Sequence, residues 1–159
     1  MMKDLSCTYQ TIGPATGNQS DQENIKIMQL FVENGQIAIG ERQYPIVYGD
    51  LYFIDANQCY SIIDTEDELV QSTIEVSAKQ LKKLAKALDF EAEYEKIFER
   101  KGSFHVASPR YKAIDKRFKE AASVCNDTKV FARPLFFSRV FELLNYALVT
   151  MEKENRKNF

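Results

Sequence analysis

The sequence predicts an α+β domain, with an antiparallel β-barrel or sandwich first and a helical subdomain ending in a long helix after it. Three observations carry this prediction. Between Ile25 and Val76, short runs rich in Ile, Val, Tyr and Phe alternate with turn residues, as evenly spaced strands do. At Ser77 the apolar period switches from 2 to about 3.6. Near the end, Phe137, Phe141, Leu144, Leu148 and Met151 repeat at 4-3-4-3 spacing, which is a heptad seam.

The elements follow in order. Residues 1–24 are polar and turn-rich and read as an arm, with Ser6-Cys7-Thr8-Tyr9 as a possible edge strand. Strands are expected at Ile25–Val32, Gln36–Ile39, Gln43–Val47, Leu51–Ile54, Cys59–Ile63 and Val70–Val76. Glu33-Asn34-Gly35, Gly40-Glu41-Arg42 and Gly49-Asp50 are the turn signals between them. Several of these strands are apolar on both faces, so one face lines an interior while the other is covered. Ser77 is placed to N-cap a helix over Ala78–Leu88. A short helix is expected over Phe90–Glu99, and a strand over Ser103–Ala107. Ser108-Pro109 opens a helix to Cys125. The last helix runs from Arg133-Pro134 to about Lys157, with Val140, Leu143 and Ala147 as a second apolar stripe beside the seam. Two stripes imply one partner inside the domain and one outside it, against the simpler reading of one broad buried stripe. The domain boundaries read as 1–24 arm, 25–76 barrel and 77–159 helical subdomain.

Composition narrows the function classes. A chain of 159 residues with 45% hydrophobic and 28% charged residues suits one globular domain with a real core. Its formal net charge of -2 lacks the basic excess of a free-standing nucleic-acid binder. Cys7, Cys59 and Cys125 are widely spaced with no CxxC pair, so neither a zinc site nor a disulfide scaffold is suggested. There is no signal-peptide pattern and no apolar run of about 20 residues. The cytoplasm is the expected location.

Little in the sequence points to catalysis. His105 is the one histidine, and a lone histidine assembles neither a nucleophile–base set nor a multi-histidine metal centre. Asp64-Thr65-Glu66-Asp67-Glu68 lacks the calcium-loop pattern. No phosphate-cradling glycine motif occurs. The expectation is a protein that is not an enzyme, with no metal and no cofactor. Tyr44, Tyr48, Tyr52 and Tyr60 lie within 17 residues. Tyrosine joins apolar bulk to a hydroxyl that seeks a partner, so a barrel lined with it suits a small molecule. The plainer reading is that strands favour aromatics.

The run from Gly35 to Ile54, and Gly49-Asp50-Leu51-Tyr52-Phe53-Ile54 above all, resembles a cupin, and more closely the effector-sensing domain of AraC-type transcriptional regulators. The later order of a strand, a helix and further long helices fits as well, so the resemblance covers roughly residues 25 to 155. It implies a cupin-like β-barrel, a small-molecule effector held inside it, and a terminal helix that makes a homodimer. It also implies DNA binding only through a C-terminal pair of helix-turn-helix motifs, and none follows Phe159 in this chain. Where the family often has Pro-Pro-Gly before a histidine, this chain has Asp55-Ala56-Asn57-Gln58-Cys59-Tyr60. The histidines of metal-dependent cupin enzymes are missing from these strands.

The candidate effector residues are therefore Met28, Leu30, Tyr52, Tyr60 and Ile74. The candidate dimer residues are Phe137, Phe141, Leu144, Leu148 and Met151. A purely structural dimerisation domain with a filled barrel is the main alternative, and a cupin enzyme with unusual ligands a lesser one.

Overall fold

The computed structural model describes residues 5–14, 17, 19–63, 65, 68–99, 103–104 and 108–157. Its strands are β1 (Leu5–Gly13), β2 (Asn24–Phe31), β3 (Gln36–Ile39), β4 (Arg42–Pro45), β5 (Leu51–Ile54), β6 (Tyr60–Ile63), β7 (Leu69–Ser77) and β8 (Ser103–Phe104). Its helices are α1 (Ala78–Ala87), α2 (Glu91–Glu99), α3 (Ser108–Cys125) and α4 (Ala132–Lys157). A five-stranded sheet has the order β1-β7-β2-β5-β8, and a three-stranded sheet the order β4-β3-β6. Every pairing is antiparallel.

The predicted barrel does not close. Among the described residues the two sheets form separate ladders. An isolated bridge between Gln19 and Tyr60 extends the small sheet towards the chain before β2. Closure needs continuous strand pairing around the ring, and β4 and β6, the edges of the small sheet, pair with neither β1 nor β8, the edges of the larger one.

The five-stranded sheet takes its edges from outside the 25–76 span. β1, expected as arm with a possible edge strand, pairs with β7 along its length. Leu5, Cys7 and Tyr9 alternate toward the helices and join the helix-side core. The ladder is bulged between Thr8 and Thr11, where Gln10 has φ 45° and its N–H donates to Ser72 Oγ at 3.0 Å. Tyr9 and Gln10 both donate to the Asp115 carboxylate on α3, each at 2.9 Å. The other edge, β8, covers only Ser103 and Phe104, and His105 lies outside the described residues.

Two cores follow from the period-2 alternation of β2 and β5. Ile25, Ile27, Leu51 and Phe53 face the helices, together with Ile74 and Val76 of β7. Met28, Leu30, Tyr52 and Ile54 face the small sheet and pack on Ile37, Ile39, Tyr60 and Ile62. β2 and β5 therefore have no polar face, and both are buried along nearly their whole length.

Gly49 closes the turn before β5. Its φ is +86°, and a Cβ there would stand 2.7 Å from Tyr111 Cβ, so only glycine fits both the backbone and the space. Gln29, buried in the middle of β2, donates from Nε2 to Gly49 O at 3.2 Å and to Tyr111 O at 3.1 Å. It thereby ties the sheet, this turn and α3 together.

The helices are capped and paired as their sequences require. Ser77 Oγ accepts from Gln80 N at 3.2 Å at the start of α1. α3 and α4 are cross-linked by Arg117–Glu142 and by Arg139, which reaches Glu120 at 3.0 Å and Glu142 at 2.5 Å. No helix among the described residues is long and apolar enough to cross a membrane.

Candidate functional site

The space between the two sheets gathers four of the five effector candidates. Met28 sits opposite Tyr52 in the β2–β5 ladder, and Leu30 and Tyr60 belong to the same cluster. Ile74 does not join them. It belongs to the helix-side core, because the register of β7 sends Ser72, Ile74 and Val76 to the helices and leaves Leu69 inside. A run that is apolar on both faces does not declare which face is which, and a slip of one residue exchanges them.

This interior is largely filled. Met28, Leu30 and Tyr52 have no exposed surface, and Tyr60 only 7%. Two polar features interrupt the apolar packing. The Tyr52 hydroxyl is buried with no hydrogen-bond partner at good geometry. Burial, then the nearby Asp50 carboxylate, push its pKa above the ordinary phenol value, and the Val47 backbone is near enough only to moderate the shift. The second feature is Lys26, at the end of the space. Its Nζ lies 3.4 Å from the Tyr60 hydroxyl, 3.5 Å from Glu75 Oε1, and 5.1 Å from the centre of the Tyr60 ring. Burial lowers the Lys26 pKa, but Tyr60 and Glu75 more than offset it and leave the ammonium above its ordinary value. The sequence held a signal for this cluster. Lys26 is the one charged residue of β2 and Glu75 the one charged residue of β7, and they are register partners.

The heptad seam of α4 lies in the helical layer. Phe137, Leu144 and Met151 are buried within the chain, while Phe141 and Leu148 are half-buried. Val140, Leu143 and Ala147 are fully buried. The seam is therefore partly used inside the domain, against α1 and α2. What remains open is an apolar groove of about 280 Å³ between α2 and α4, lined by Leu88, Phe90, Ile97, Phe141, Leu144 and Leu148. A second groove of about 310 Å³ shares Phe141 and continues between α1 and the start of α4. Leu88, at the C-terminal cap of α1, is 57% exposed at the groove edge.

Other candidate chemistry stays dispersed. Cys59 is exposed and Cys125 buried, while burial, then Cys125, push the Cys7 thiol up to about 12. Among the described residues no three His, Cys, Asp or Glu side chains gather as a metal site would need.

No family model matches the chain, and no curated protein does. Solved structures that it resembles include cupins. The cupin domain of Cnp3 from Schizosaccharomyces pombe is 10% identical, with a TM-score of 0.41 over 52% of this chain and 63% of that one. A cupin protein from Bacteroides fragilis is 21% identical, with a TM-score of 0.36 over 46% and 64%. A predicted oxalate decarboxylase from Thermotoga maritima is 18% identical, with a TM-score of 0.35 over 46% and 62%. The chain thus spans less than two thirds of the length of these structures. Two antiparallel sheets and a helical layer packed on the larger of them make this an α+β fold.

Proposed function

We propose that the chain is the sensing and dimerising part of an AraC-type transcriptional regulator, and that pairing through the α2–α4 groove is its central property. The observation that carries this reading is the open apolar groove along the heptad seam, with Leu88 standing exposed at its edge. A heptad seam is built to receive another helix, and α1 and α2 cover it only in part. Native mass spectrometry of the purified chain is expected to give a dimer. Leu88→Glu is expected to give monomers with an unchanged circular dichroism spectrum, because that side chain lies outside the core. Leu144 is a poorer probe, since it is 6% exposed and a charge there would damage the fold itself. A wild-type monomer at tens of micromolar, or a Leu88→Glu dimer of unchanged affinity, would overturn the pairing.

Effector binding between the sheets is a second part of this reading, favoured by the unpartnered Tyr52 hydroxyl. A buried phenol without a partner costs on the order of 1–3 kcal/mol, which a ligand's polar atom would recover. The interior is otherwise filled, so such a ligand must part the sheets near Met28 and Tyr60. A co-purified small molecule in the same spectrum supports an effector. A dimer without one favours a structural dimerisation domain.

A further inference from the structure

The net charge of -2 conceals a division of the chain. Up to Ser77 it has three Lys or Arg and twelve Asp or Glu, and from Ala78 onward eighteen and eleven. The strand half therefore carries a formal -9 and the helical half +7. Charge asymmetry of this size between halves points to an anionic partner for the basic half.

The cations are ordered on the helices. On α1, Lys79, Lys82, Lys83 and Lys86 are all exposed, opposite buried Leu81 and Ala85, and the helix contains no acid. On α3, Lys112, Lys116 and Lys119 are exposed in the same manner, opposite buried Ile114 and Phe118. Between α3 and α4, and in the first turn of α4, the chain presents apolar side chains to water: Val130 is 82% exposed, Phe131 70% and Leu135 46%. Lys129 precedes them and Arg133 lies among them. The start of α4 flanks α1, since Gln80 and Leu84 of α1 line one groove with Arg133, Pro134 and Phe137, and so the tip and the α1 lysines lie at the same end of the helical layer.

We propose that this face docks on an anionic phospholipid surface, with Val130, Phe131 and Leu135 inserted at the headgroup boundary and the α1 lysines held over the phosphates. Two features select lipid over other polyanions and over a protein. Duplex phosphates are met by cations and hydrogen-bond donors, which give the exposed aliphatic Val130 and Leu135 nothing to bind. A protein partner seats in a groove or on a packed face, whereas side chains as exposed as Val130 and Phe131 stand clear of their own fold. Apolar insertion and a basic patch are each weak alone, and together they hold a protein on a membrane. The inference stands apart from the regulator reading, since it uses neither the groove beside α2 nor the space between the sheets.

The test is sedimentation of the full chain with phosphatidylcholine vesicles containing about one third phosphatidylserine, beside vesicles of phosphatidylcholine alone. Pelleting with the anionic vesicles only, weakened by added salt, is expected. Lys82→Glu and Lys86→Glu are each expected to lower partitioning by about fivefold or more, from roughly 1 kcal/mol per surface cation. Phe131→Ser should also lower it, with no change in charge. All three positions are exposed, and circular dichroism is the check that each variant is folded. No pelleting with anionic vesicles, or equal pelleting with neutral ones, would overturn the proposal. So would unchanged partitioning of Phe131→Ser, or duplex DNA bound at the same salt while vesicles are not.

Discussion

At Gly49 the backbone turns with φ +86° while Tyr111 Cβ stands 2.7 Å from where a side chain would begin. The two constraints add, since alanine there meets both left-handed strain and a collision with α3. Gly49→Ala should therefore cost about 2–4 kcal/mol in urea unfolding, and a loss below 1 kcal/mol would mean that α3 yields easily. The turn itself was legible from Gly49-Asp50 followed by a hydrophobic run. The contact with Tyr111 was not, because it joins positions far apart in the chain. The same contrast holds for Tyr52. Its place on a strand was readable, but its lack of a partner depends on what the other sheet brings opposite it. Ile74 shows the limit most plainly: its run fits a place between the sheets, and it packs on the helices.

α4 shows what periodicity conveys about an element and what it leaves open. Its apolar residues are too widely set for one neighbour, and that much is visible in the spacing. The structure assigns Val140, Leu143 and Ala147 to full burial and leaves Phe141 and Leu148 partly open. Leu143→Ala should accordingly cost about 2–5 kcal/mol in thermal or urea unfolding and leave self-association unchanged. If it weakened the proposed self-association without destabilising the fold, the two stripes would have exchanged roles. β1 is the converse case. Its turn-rich surroundings suggest an arm with an edge strand at Ser6–Tyr9, and the ladder to β7 and the bonds from Tyr9 and Gln10 to Asp115 make the whole of Leu5–Gly13 a fixed edge. Such long-range pairing leaves only a faint mark in a short segment.

For the whole molecule, the buried ionisable groups set how stability varies with pH. Burial raises the pKa of Cys7, Tyr52 and Tyr94 above ordinary values of 9.0, 10.0 and 10.0. Tyr60 and Glu75 raise that of Lys26 against its burial. A group whose folded pKa is raised contributes stability that is complete below its unfolded pKa and is lost as pH climbs through the folded one. Asp21 has the opposite sign. Burial raises its pKa, but the N–H groups of Glu23 and Asn24 outweigh it and leave the carboxyl below 3.8, so its contribution is lost only as pH falls below that value. Denaturant midpoints should therefore stay level through neutrality and fall steeply above about pH 9–10. A level alkaline limb would mean that the buried tyrosines ionise without unfolding the chain.

By itself the sequence determined the elements: the strands from Ile25 to Val76, the change of period at Ser77, the cap on α1, and the long wide-faced α4. These are local properties, written in side-chain period and in turn and cap residues a few positions apart. Only the tertiary structure decided that the sheets form separate ladders among the described residues, that Ile74 turns to the helices, and that Lys26 meets Tyr60 and Glu75. The physical reason is that a strand has two faces and a helix a full circumference. Which side is buried, and against what, depends on register and on partners distant in the chain.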